Sequence, residues 1–191
     1  MRALIFAIIF IFSTSPFSLS SVISDIDKSN IELSTRFDGT SILVFGALSP
    51  ENDSTSLLIE IIGPSTSVNI RKKVQIWGIW VNKKIARFKD IPSFYQISIS
   101  NPEHPVLIEI ENQKLKSLFY DSLEANSTPE DVNGVEQYYL ELTRLKKKLG
   151  KLSVFEEQVN IIDKKLFSHK VNLPKKIHPG IYKIKMTLID Q

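Results

Sequence analysis

The chain has 191 residues, 42% of them hydrophobic, which suffices for a packed core and excludes a disordered polymer. Its 24 Lys and Arg against 21 Asp and Glu leave a net charge of +3, a mixed surface rather than the one-sided cation field of a nucleic-acid binder. With no cysteine, a disulfide framework, thiolate metal sites and a Cys nucleophile are excluded.

Arg2, the unbroken apolar run Ala3 to Phe12, and the small polar stretch Ser13 to Ser21 with its helix breaker Pro16 follow the order of a secretory signal peptide. Ser18-Leu19-Ser20 fits a small-x-small cleavage pattern. Residues 1–20 are therefore expected to be a signal peptide, cut after Ser20, and residues 21–191 a single periplasmic domain. An uncleaved leader that contacts the membrane is the alternative, because no charge falls between Arg2 and Asp25. Pro16 leaves the strongly apolar part too short to cross about 30 Å as a helix, which favours cleavage.

The mature part begins with β texture. Ile31, Leu33 and Thr35 alternate with Glu32, Ser34 and Arg36, and Asp38-Gly39 is a turn signal before the run Ser41 to Leu48, so this pair reads as a hairpin. Leu57 to Ile62 is apolar on both faces, and Gly63-Pro64 ends it. Ser67 to Arg71, Trp77 to Val81, Ile85 to Phe88 and Phe94 to Ser100 supply further short strands. His104 to Tyr120 carries Leu107, Ile110, Leu115 and Leu118 at helical intervals. A second helix is expected to start at Thr128-Pro129, with the apolar stripe Val132, Val135, Tyr138, Tyr139, Leu142, Leu145 and Leu149. Arg144 and Lys146 to Lys148 crowd its negative end and Gly150 stops it. Strand texture returns at Val159 to Ile162 and around Phe167 to Leu173, and the alternating segment from Ile181 follows the turn His178-Pro179-Gly180. The expectation is a mainly β chain, an immunoglobulin-like β-sandwich with a pair of α-helices inserted at about 104–150, packed over one sheet or its end.

Residues with chemical potential are scattered. His104, His169 and His178 lack the spacing of a metal pair and read as surface or turn residues, so no metal or cofactor is expected. The acid pairs Glu109 and Glu111, Glu130 and Asp131, and Glu156 and Glu157 read as solvated. No catalytic residue is assigned. A candidate binding surface is expected from Arg71, Lys72, Lys73, Trp77, Trp80 and Asn82. Trp77 and Trp80 read first as core and rim residues of the sandwich, and second as a recognition patch for an anionic lipid surface or an envelope partner.

Several segments in order carry a resemblance: Thr35-Arg36-Phe37-Asp38-Gly39-Thr40, Leu43-Val44-Phe45-Gly46-Ala47, Ile62-Gly63-Pro64, Ile76-Trp77-Gly78-Ile79-Trp80-Val81-Asn82, Ile91-Pro92-Ser93-Phe94-Tyr95, Leu145-Lys146, Leu166-Phe167 and Pro179-Gly180-x-Tyr182. Over most of residues 30–189 the chain resembles an uncharacterised family described as putative alphaproteobacterial transmembrane proteins. The resemblance implies a leader, a periplasmic domain, one more strand and a C-terminal membrane helix, and it transfers no catalytic residue. Because the sequence stops two residues after its last strand, that final strand and anchor are expected to be missing, as in a shortened gene or a member released into the periplasm.

The function expected on these grounds is a non-enzymatic domain in the periplasm, or attached to the membrane and facing it. Its partner would be an inner-membrane permease or another envelope protein, and not nucleic acid. A periplasmic enzyme acting on envelope material, or a remnant that has lost its anchor, are the alternatives.

Overall fold

The computed structural model describes residues 21–49, 54–125 and 132–189. The expected leader, the start of the loop after Ser49, the Thr128-Pro129 helix start and the last two residues lie outside them. In chain order the described elements are β1 (Ser21–Ile26), β2 (Thr40–Ser49), β3 (Ser56–Ile62), β4 (Ser65–Ile76), β5 (Ile79–Pro92), β6 (Tyr95–Ile99), α1 (Leu107–Leu115, continued by a π-turn Lys116–Tyr120), β7 (Leu123–Ala125), α2 (Val132–Lys148), β8 (Leu152–Val154), β9 (Asn160–Ile162), β10 (Leu166–Leu173) and β11 (Lys183–Ile189).

The chain is mainly β, as expected. Strand order is β1-β2-β10-β9 in the first sheet, β11-β3-β6-β8 in the second, and β4-β5-β7 in a third, smaller one. The first two sheets share a core built from Val44, Phe167 and Val171 on one side and Leu57, Ile59 and Ile61 on the other. The opposite face of the second sheet, carrying Leu58, Tyr95, Ile97 and Ile99, packs against Leu115 and Phe119, against Leu142 of α2, and against Phe88 and Ile91 of β5. Strands β3 and β6 are thus covered on both faces, which explains why Leu57 to Ile62 is apolar on both faces apart from Glu60, rather than alternating. The inserted helices lie over this second sheet, and the insertion also contains β7, which joins β5.

Three expectations about these elements change. Ile31 to Thr35 forms no strand. Both edges of β2 are already taken, by β1 over Ser21–Ile26 and by β10, so the alternating segment has no ladder to join, and Ile31 instead packs on the sandwich core. The buried face of α2 includes Leu142, Thr143 and Lys146, while Leu145 and Leu149 are about half exposed. Lys146 therefore does not sit in solvent at the helix end. The third change concerns His169, which lies inside β10 at 2% exposure, because β10 turns that position toward the second sheet. At His104 the turn role holds but the surface role does not: it is buried, and its Nδ1 accepts the Val106 N–H at 3.3 Å.

Gly46 lies in β2 where β1 crosses closely. A Cβ there would collide with the Ile23 carbonyl oxygen and would stand 2.8 Å from the Phe167 ring. The small residue lets the β1 backbone and a large aromatic share one spot.

Candidate functional site

The long hairpin of β4 and β5 is the most distinctive feature of the surface. Its base is packed: Val68 and Ile70 pack against the helix-side core, and Phe88 and Ile91 are part of it. A register shift follows Ile70, so that Ile70 faces Ala86 while Arg71 faces Lys84. Beyond this bulge every residue from Arg71 to Lys84 is exposed except Val74, which is half-buried. Six residue pairs, from Arg71 and Lys84 to Ile76 and Ile79, make this free ribbon. At the usual rise of a strand it reaches about 20 Å from the bulge.

The apex is a two-residue turn, Trp77-Gly78, with φ of 51° and 79°. Paired positive φ values suit the twist of a tight hairpin, a geometry that favours Asn, Asp or Gly. Here a Trp occupies the first position with its ring 97% exposed. Ile79 and Trp80 are each about two-thirds exposed, and Ile76 is 47% exposed. These values overturn the reading of the two tryptophans as core and rim residues. Among the described residues no element covers the ribbon, so alternation along the outer part of β5, Ile79 to Lys84, faces solvent on both sides.

Cross-strand pairing sorts the ribbon into faces. Lys72 with Lys83, Val74 with Val81 and Ile76 with Ile79 share one face, and Arg71 with Lys84, Lys73 with Asn82 and Gln75 with Trp80 share the other. The six residues singled out in the sequence, Arg71, Lys72, Lys73, Trp77, Trp80 and Asn82, are therefore brought together on one projection. Ile76, Ile79, Val81, Lys83 and Lys84 join them, and the sequence reading missed these. The signal that could have found them is the Trp-Gly apex between two runs of strand-forming residues. From Ser65 to Lys89 the chain contains seven cations and no Asp or Glu. Among the described residues, Arg71, Lys72, Lys73, Lys83 and Lys84 form no ion pair.

The root of the hairpin is locked. Ser93 donates its N–H to Pro64 O at 2.8 Å, and Gly63 donates to Phe94 O at 2.8 Å. Phe94 and Tyr182 rings meet at 6.1 Å. The Lys146 ammonium donates to Pro92 O at 2.7 Å and lies 5.4 Å from the Phe119 ring centre. Burial, with nearby Lys151, pulls this ammonium down to about 8. Four segments of the resemblance thus meet at one corner: Gly63-Pro64, Pro92 to Tyr95, Lys146 and Tyr182. They aim the ribbon away from the body.

Other polar groups are interior. Glu60, 3% exposed, accepts the Tyr95 hydroxyl at 2.9 Å and pairs with Lys114 at 3.0 Å. Burial first, then Glu60, raises the Tyr95 phenol far above its ordinary range. Between the two main sheets, Gln96 Nε2 lies 3.0 Å from His169 Nε2 and 3.1 Å from Glu157 Oε2, with Ser98 Oγ at 3.4 Å. Burial lowers the His169 imidazole, against the opposing pull of Gln158 and Glu157. Ser98 and His169 resemble parts of a nucleophilic triad, but Ser98 is 0% exposed and the Gln96 amide bonds both. The group stitches the sheets together.

Two cavities open beside β1 and β11, the larger between the segment after β1 and the segment before β11, the smaller between the two strands. One, of about 450 Å³, is lined by Ile31, Leu33, Ile177, Tyr182 and Ile184 among others; the second, of about 360 Å³, is lined by Val22, Ile26, Ile184 and Met186 with Ser24 and Asp25. Among the described residues no cluster of His, Asp and Glu could hold a metal ion, and no helix is long and apolar enough to cross a membrane.

The profile of a family described as "Putative transmembrane protein (Alph_Pro_TM)" matches residues 21–191. Neither a curated protein nor a solved structure matches the chain.

Proposed function

The chain belongs to this family, and from that premise we propose that it is a non-enzymatic envelope domain that works at a membrane surface as an accessory to a membrane protein. The single observation that carries the reading is the β4–β5 ribbon, rigidly rooted and tipped by exposed Ile76, Trp77, Ile79 and Trp80. Exposed aromatics on a rigid projection are contact residues in search of a surface. The leader at residues 1–20 supports export, and the family match starts at residue 21, where the leader is expected to end.

The strand orders support an immunoglobulin-like sandwich. The order β1-β2-β10-β9 follows strands A, B, E and D of that fold, and β11-β3-β6 follows F, C and C′. Tyr182, just before β11, donates its hydroxyl to His178 O at 3.0 Å, as the corner tyrosine of such domains does. Domains of this kind present edges and loops to partners on a stable two-sheet frame.

The test is a photo-crosslinking residue placed at Asn82 of the full chain in its native cells. The expected adduct is an integral membrane protein of permease type. Adducts confined to soluble proteins, or the intact chain dissolved in the cytosol, overturn the proposal.

A further inference from the structure

We infer that the tip of the β4–β5 ribbon inserts into the interface of an anionic lipid bilayer, with the basic residues below it forming a collar at the level of the lipid phosphates. The inference deepens the proposed membrane-surface role and rests on it. Its first support is the lengthwise division of the ribbon. Residues 74–81 hold Val74, Ile76, Trp77, Ile79, Trp80 and Val81, with Gln75 and Gly78 between them. The next residues inward on both strands are Lys73, Lys72 and Arg71, and Asn82, Lys83 and Lys84. The apolar tip spans about 10 Å of strand, close to the depth at which amphipathic segments sit in the headgroup and acyl boundary.

The second support is that apolar groups occupy both faces of the tip. Ile76 and Ile79 are on one face and Trp80 is on the other, with Trp77 at the apex. A protein partner docking on a two-stranded ribbon covers one face and leaves the other wet. A bilayer interface surrounds the tip on every side. Trp is also the side chain that this interface accommodates best, with its ring in the boundary and its N–H toward water.

The third support is charge. Five cations in the collar and no acid from Ser65 to Lys89 give a field suited to phosphatidylglycerol-type headgroups. Long Lys and Arg side chains can reach the phosphates while their stems follow the tip into the boundary. Trp77 further keeps a left-handed backbone, φ 51°, that a bulky residue disfavours, and no contact among the described residues accounts for the choice.

The chain has two tryptophans, and both are on this tip, so intrinsic Trp emission reports on the tip alone. The experiment mixes the purified full chain with protein-free vesicles of phosphatidylcholine, with and without a one-third share of phosphatidylglycerol. The expected result is a blue shift of Trp emission and quenching by brominated acyl chains, with the anionic vesicles only. Replacing Arg71, Lys72 and Lys73 together by Gln is expected to weaken that response about a hundredfold, at the usual gain per basic residue near an anionic surface. Ile76→Ser with Ile79→Ser is expected to abolish bromine quenching while circular dichroism stays unchanged, since neither side chain supports the core. Because the leader remains in every variant, vesicle attachment through it alone would leave Trp emission unshifted. Unshifted emission, or equal response of the Gln variant, overturns lipid insertion. If the chain then still crosslinks to a membrane protein at Asn82, the tip is a protein contact and the accessory role stands without it.

Discussion

Replacing Lys146 by Met perturbs the corner that roots the hairpin, and its effect depends on pH in a way the structure defines. Lys146 is 6% exposed, and its ammonium is pulled from the ordinary 10.5 to about 8 by burial and by Lys151. A lysine whose folded value is lowered binds fewer protons folded than unfolded between those two values. Stability therefore rises with pH across the window from about 8 to 10.5. Between pH 7 and pH 10 the difference in protonation is worth roughly 2–3 kcal/mol, at 1.36 kcal/mol for each unit of separation. The Pro92 and Ser93 carbonyls and the Phe119 face favour the charged form, so this figure is a ceiling. Lys146→Met removes the buried charge and also leaves two carbonyls without their donor, a loss of about 1–3 kcal/mol that roughly offsets the relief at pH 7. The variant is expected to match the parent near pH 7 and to fall about 2 kcal/mol below it at pH 10. Urea unfolding followed by far-ultraviolet circular dichroism measures this, since the tryptophans sit on the exposed tip. Parallel pH profiles for parent and variant would refute the reasoning.

Gly46→Ala forces a Cβ onto the Ile23 carbonyl and the Phe167 ring, and is expected to cost roughly 1–3 kcal/mol in urea unfolding, as overpacking does. His169, lowered chiefly by burial, is neutral in the folded chain at a pH where the unfolded chain already takes a proton. Its contribution is present above about pH 6.5 and is lost as pH falls toward the lowered folded value, so an imidazole NMR titration is expected to show His169 less protonated at pH 6.5 than a free imidazole, and a His169→Leu variant a flatter acid limb.

Local pattern made much of this molecule legible. The two-sided apolar run Leu57 to Ile62 marked a strand enclosed between layers, and β3 lies between the first sheet and the helices. Helical spacing across Leu107 to Leu118 marked α1 and its π-turn. The six residues of the candidate surface were also named together, because cations and tryptophans stood close in sequence, and they share one ribbon. Three things were misjudged for one cause. Ile31 to Thr35 has the alternation of a strand but no free edge to pair with. Lys146 has the composition of a solvated helix end but faces the Pro92 carbonyl. Trp77 and Trp80 have the chemistry of core residues but stand exposed on a ribbon that no other described element covers.

Side-chain order along the chain determined the strand and helix periods, the basic, acid-free approach to the tip and the membership of the family, because each of these is a property of neighbours in sequence. Which face meets the core and which meets water was decided only when distant elements packed. Burial is a relation between segments far apart in the chain: β10 turned His169 inward against Gln96, α2 carried Lys146 onto the hairpin root, and beyond the bulge after Ile70 the aromatic tip stands exposed.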